Sequence, residues 1–296
     1  MRPADIIRLI TLSALWGASF LFMRVAAPVL GTLPTAFFRT LLAAASLAVI
    51  LLVLRSAWRW DKQTRGAMLV GVVNSAVPFA MYAFAAKHLP AGYSAILNAT
   101  TPLMGVLVGA AAFGETLTLR KLAGVAIGMA GVAVLTQAGP VAATPLVLLA
   151  AGACLIATFC YGMAGFLARR LTAGLDSKQV ALFSQVGASI ALAPLFVLNM
   201  PAGEPSSWGN PAVWAAMAAL GIVCTGLAYI LYFRLIADIG PVKSLTVTFL
   251  IPLFGVLWGA LFLAETLSWA HAAGGALIAA ALWLVLRAPA AKPSAE

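Results

Sequence analysis

The chain has 296 residues, of which 63% are hydrophobic and only 9% are Asp, Glu, Lys or Arg. A soluble domain runs at roughly 45–50% apolar and about 25% charged, and no soluble interior of this length hides so much apolar surface. Soluble enzymes, disulfide-stapled secreted scaffolds and disordered regulators are excluded, and the chain reads as an integral membrane protein. The formal charge of +10 does not point to nucleic acid, because Lys and Arg are scattered through short inter-helix loops. Cys154, Cys160 and Cys224 all fall inside apolar runs, where thiols behave as small hydrophobes, so no disulfide, metal or cofactor is expected.

In chain order, stretches long enough to cross roughly 30 Å of hydrocarbon fall at about 6–26, 34–54, 67–86, 91–113, 120–138, 146–168, 178–199, 212–233, 243–264 and 269–287. The first is too long for a signal h-region and is read as a retained span. Loop chemistry separates the stretches, as at Arg59-Trp60-Asp61-Lys62, Ala138-Gly139-Pro140 and Pro201 through Pro211. No loop is long enough to hold an extramembrane catalytic module. No nucleophile or metal cluster gathers at a common depth, so an enzyme is not expected.

With ten spans, fifteen Lys and Arg share the side of both termini, from Arg2 and Arg8 to Arg287 and Lys292, against Arg24, Arg39 and Lys87 opposite. The positive-inside rule then makes both termini cytoplasmic, in a multi-pass protein of a bacterial inner membrane.

Shifting the sequence by 150 superposes residues 102–117 on 252–267 with ten of sixteen positions identical, including Pro102 on Pro252, Gly105 on Gly255 and Glu115-Thr116-Leu117 on Glu265-Thr266-Leu267. The same shift pairs Gly71 with Gly221 and Tyr82 with Tyr232, and a shift of 145 pairs Ser13 with Thr158, Trp16 with Tyr161, Gly17 with Gly162 and Arg24 with Arg169. Two five-span repeats, 1–138 and 146–287, are expected, followed by a cytoplasmic tail at 288–296. An odd number of spans sets the halves in opposite orientations. The expected fold is therefore all-α, with ten transmembrane helices as two five-helix inverted repeats. Such repeats are a transporter signature, with the substrate held near the midplane between the halves.

The paired Pro-Leu-x-Gly and Glu-Thr-Leu segments, Leu15-Trp16-Gly17-Ala18-Ser19 and Phe37-Phe38-Arg39-Thr40-Leu41-Leu42-Ala43-Ala44 resemble the EamA-type branch of the drug/metabolite transporter superfamily. The resemblance covers about Arg8 to Arg287. Within that branch the chain is most similar to bacterial amino-acid exporters, the aromatic amino-acid exporters among them. It implies a small-molecule carrier whose substrates are amino acids.

Prolines inside spans free a carbonyl four residues earlier, tolerable in lipid only where it is buried or faces a cavity. Pro78, Pro102 and Pro252 are the expected hinges, Pro102 freeing the carbonyl of Asn98 and Pro252 that of Thr248. Polar stripes run beside them: Ser94, Asn98 and Thr101 in the fourth span, Ser244 and Thr248 in the ninth, Asn74 and Tyr82 in the third. The alternative is that small and hydroxyl residues only let helices pack closely. Trp16 lies too deep for an interfacial belt, and its mate Tyr161 sits near the middle of the sixth span. An indole N–H or phenol O–H at that depth needs a partner. The expected substrate site is Trp16, Tyr82, Asn98, Tyr161, Ser244 and Thr248. Arg39 enters about a turn and a half into the second span, where it snorkels, pairs with a helix end or meets a substrate carboxylate.

All eight acidic residues fall in loops, tails or span ends. A charge at helix centre costs about 2.5–3.5 kcal/mol on the insertion scale. The missing intramembrane carboxylate disfavours proton-coupled efflux of cations. Glu115 and Glu265 are expected to help cap the fifth and tenth spans. Export of another metabolite and a channel-like pore are the remaining alternatives.

Overall fold

The computed structural model describes residues 1–56, 60–85, 88, 97–136, 144–198, 206–263 and 268–286. These residues form helices joined by turns and short irregular segments, with no strand among them. Their segments group into ten rods. α1 is Pro3–Leu30 and α2 is Thr32–Val53, parted by Gly31, whose φ of +87° turns the chain where a side chain would be strained. α3 runs through Lys62–Gly71, a π-helical Val72–Ala76 and Val77–Ala85. α4 is Thr101–Ala112 and α5 is Leu119–Thr136.

In the second half α6 is Pro145–Leu171 and α7 is Ser177–Leu198. α8 is continuous from Pro211 to Ile239 but winds as a π-helix over Ala219–Leu227. Gly240, at φ +84°, separates it from α9, which forms Pro241–Ser244 and then Val247–Leu263. α10 is Trp269–Leu286. Leu33–Val53, Pro145–Leu171, Ser177–Leu198, Pro211–Ile239 and Pro241–Phe262 are long and apolar enough to cross a membrane, and Thr101–Ala112 and Trp269–Val285 are shorter apolar helices.

Side chains set several helix starts. Asp61 accepts from the Gln63 and Thr64 amides at 3.0 and 3.1 Å, and Asn210 from the Ala212 amide at 3.0 Å, meeting donors that a first helical turn leaves free. Lys121 reaches Glu115 at 3.2 Å and the Thr116 carbonyl at 2.9 Å, and its amide donates to Thr118 Oγ1 at 3.3 Å, so Glu115 and a neighbouring hydroxyl both anchor the start of α5. Glu265, Ser94 and the loop at 138–140 lie outside the described residues.

Packing partners exchange under the repeat offsets. α1 lies on α9 as α6 lies on α4, and α2 lies on α8 as α7 lies on α3. α3 meets α6 as α8 meets α1, while α2 with α7 and α5 with α10 pair across the halves. Close approach depends on matched glycines. A β-carbon on Gly17 would sit 2.6 Å from the Phe254 β-carbon and 3.0 Å from the Gly255 nitrogen. One on Gly162 would sit 2.8 Å from the Gly105 nitrogen. The π-helical stretches also correspond, because 72–76 shifted by 150 is 222–226.

The three hinge prolines occupy different settings. Pro252 is inside the second segment of α9, and Pro78 follows the π-helical stretch of α3. Pro102 stands in the first turn of α4, where its missing N–H breaks no helical bond. At the chain ends, Asp238 on α8 accepts from Arg8 at 2.8 Å and Arg2 at 3.1 Å, and from Arg234 at 2.9 Å. This cluster ties the start of α1 to the end of α8.

Candidate substrate site

α1, α3, α6 and α8 bring an aromatic group together in the interior. The Trp16 ring lies 5.9 Å from Tyr229, edge on, and 5.3 Å from Tyr232. Tyr82 and Tyr161 stack at 6.4 Å, and the Tyr82 hydroxyl donates to Asn98 Oδ1 at 3.0 Å. Tyr82, Asn98 and Tyr161, three of the residues expected from sequence, thus meet, and Trp16, a fourth, lies against Tyr229 and Tyr232. Each of the four keeps part of its surface accessible.

Ser244 and Thr248 lie on α9, whose first segment packs on α4 and α6. Both are buried, and their hydroxyls donate to carbonyls of their own helix, Ser244 to Gly240 and Thr248 to Leu245, each at 2.8 Å. In this conformation they stabilise the bent start of α9.

The polar inventory of the core is incomplete in an informative way. Tyr229 Oη and Ser75 Oγ are 2.9 Å apart, and Gln185 Nε2 donates to Ser75 Oγ at 3.3 Å. Gln185 Oε1, Asn74 Oδ1 and the Trp16 indole N–H are buried without a hydrogen-bond partner among the described residues. Buried polar atoms are nearly always paired, and each exception needs an explanation such as a ligand or water. An indole donor with no acceptor, set beside two tyrosines, fits a position where a bound molecule supplies the acceptor.

Arg39 takes part in this region. Its Nε donates to Thr225 Oγ1 at 2.8 Å, and its guanidinium carbon sits 4.5 Å over the Phe79 ring. Sequence reasoning left Tyr229, Phe79, Gln185 and Thr225 out of the site. One signal was available: the shift of 150 places Phe79 opposite Tyr229, an aromatic pair flanking the same arginine.

Known proteins place the chain. The EamA-like transporter family profile matches residues 5–137 and again residues 148–287. A probable terminal-alkyne amino-acid exporter of Streptantibioticus cattleyicolor is 27% identical over 201 residues, covering 68% of this chain and 65% of that protein, just under two thirds of its length. Protein PecM of Dickeya dadantii is 26% identical over 230 residues, 77% of this chain and 74% of that one. The uncharacterized transporter YvbV of Bacillus subtilis is 26% identical over 275 residues, 92% of this chain and 88% of that one. One crystal structure superposes with a TM-score of 0.77 over 96% of both chains at 22% identity, a likeness of fold. With both halves matched, this multi-pass membrane protein belongs to the EamA-like transporter family.

Proposed function

We propose that the protein carries neutral amino acids, aromatic ones among them, across a bacterial inner membrane by alternating access. The buried, unpartnered Trp16 indole N–H inside the tyrosine cluster carries the reading. Aromatic walls suit apolar side chains, and the unpaired carbonyl oxygens of Asn74 and Gln185 are acceptors for an ammonium group. Asn98, Ser244 and Thr248 supply further hydrogen bonds, the latter two when α9 rearranges around Pro252. An inverted pair of five-helix repeats, 1–138 and 146–287, explains the exchange of packing partners between the halves. Pro78, Pro102 and Pro252 mark the segments about which the halves rock.

Both termini lie in the cytoplasm in this reading, which the excess of Lys and Arg on their side supports. The Arg2, Arg8, Arg234 and Asp238 cluster puts the start of α1 and the end of α8 at one face. The relative from S. cattleyicolor, named as an amino-acid exporter, favours the substrate class and outward direction. Counterflow uptake of labelled amino acids into proteoliposomes, with a pH gradient imposed and then collapsed, tests the reading. Saturable uptake indifferent to the gradient is expected. Non-saturating flux without counterflow would mean a pore, and uptake that vanished with the gradient would mean a proton site.

A further inference from the structure

The guanidinium of Arg39 is committed on two sides and open on the third. Its face rests on Phe79, and its Nε edge is held by Thr225 Oγ1. Thr225 is itself fixed: its hydroxyl donates to the Leu220 carbonyl at 2.8 Å, five residues back in the π-helical stretch, so its oxygen can only accept from Arg39. The two terminal nitrogens, Nη1 and Nη2, donate to no group among the described residues. No carboxylate pairs with Arg39 among those residues.

Depth sharpens the point. Thr225 is the central residue of Pro211–Ile239, so the guanidinium lies about 20 Å from either end of that helix. Arg39 therefore does not snorkel to a surface. Intramembrane charges face the protein interior, pair with another group and mark substrate pathways. The other half offers no counterpart, because the shift of 145 places Ser184 where Arg39 stands. One cation thus breaks an otherwise matched pair of halves and gives the site a direction.

We infer that Arg39 binds the carboxylate of the substrate, its Nη1 and Nη2 forming the two-pronged contact that a planar guanidinium makes with a carboxylate. Phe79 and Thr225 are positioning residues that hold the fork in place. The inference rests on the reading of the protein as an amino-acid carrier and narrows it. A free carboxylate is required, and amines, amides and alcohols of the same side chain are poor ligands.

The test pairs counterflow of labelled phenylalanine with the ligand-induced rise in thermal unfolding midpoint. Phenylalanine, 3-phenylpropanoate, phenylalanine amide and phenethylamine are the probes. In the wild type, the two carboxylates should bind, and the amide and amine should be about 30-fold weaker or worse. Arg39→Gln should raise KM for phenylalanine by about 30-fold or more, with Arg39→Lys recovering part of the loss. Thr225→Val keeps the charge, frees the fork to swing and should give a smaller rise.

The inference is overturned if the wild type takes the amide as well as phenylalanine, a comparison that needs no variant to fold. It is also overturned if folded Arg39→Gln keeps wild-type KM. A carboxylate that stabilises the wild type but not Arg39→Gln, without amino-acid uptake, would uphold the inference and remove the transport reading. No uptake and no carboxylate-induced shift would remove both.

Discussion

Gly162 on α6 lies against the backbone of Gly105 on α4 so closely that a β-carbon there would sit 2.8 Å from the Gly105 nitrogen. Its repeat mate Gly17 makes the corresponding contact with Phe254 and Gly255 on α9. Backbone atoms cannot yield as a flexible side-chain tip can. Gly162→Ala and Gly17→Ala should each destabilise the protein by about 1–3 kcal/mol, the usual cost of overpacking, read as a lower unfolding midpoint in detergent. Gly152→Ala is the control on α6, since nothing lies within 4 Å of its added β-carbon. That change should be neutral or mildly stabilising.

The Tyr82 hydroxyl and Asn98 Oδ1 form one of the few side-chain hydrogen bonds inside the aromatic group. Tyr82→Phe keeps the stack on Tyr161 and removes only the bond. A double-mutant cycle with Asn98→Ala should show coupling of about 1 kcal/mol in unfolding free energy. Independent effects of the two changes would show that the pair does not act as a unit.

Pro252 stands inside α9 and leaves the Thr248 carbonyl without its helical partner. Pro252→Ala restores the bond and should stabilise the helix by up to about 3 kcal/mol. If α9 bends there during transport, turnover should fall while binding is kept. Turnover equal to wild type in a stabilised variant would remove Pro252 from the hinge.

The Arg2 hydrogen bond and the nearby Arg8 hold the Asp5 carboxyl below its ordinary value of 3.8. A carboxylate with a lowered folded pKa contributes stability above its unfolded value and loses it as pH falls through the folded one. Asp5→Asn should therefore unfold at a lower temperature than wild type at neutral pH. The two curves should converge as pH drops below 3.8. A gap unchanged in acid would show that Asp5 does not act through its charge.

Much of the fold was legible because its constraints are local or repeated. Gly17, Gly162, Gly105 and Gly255 stood out through the offsets, and they are the residues at the two matched crossings. The π-helical stretches were not legible. Their winding accompanies packing against another rod, Gly71 on the Ser184 backbone and Gly221 on Leu42 and the Arg39 carbonyl, which no sequence window contains. Helix ends were also underestimated, as α1 runs Pro3–Leu30 where 6–26 was expected.

Within the site, depth marked Trp16, Tyr82, Asn98 and Tyr161, each of which meets a ring or a hydrogen-bond partner in the interior. Ser244 and Thr248 carried the same polar signal, but a hydroxyl at a helical bend satisfies itself on its own backbone. Arg39 was misjudged in depth because its distance was counted along α2 alone. Its side chain crosses to the middle of α8.

The account stands or falls on whether the converging residues touch what is carried. The decisive measurement is KM for labelled phenylalanine counterflow in Trp16→Ala, Asn98→Ala and Tyr161→Ala, each confirmed folded by its unfolding midpoint. A site lined by these side chains predicts a KM raised by about tenfold or more in each. Wild-type KM in all three would contradict it and place the substrate elsewhere in the bundle.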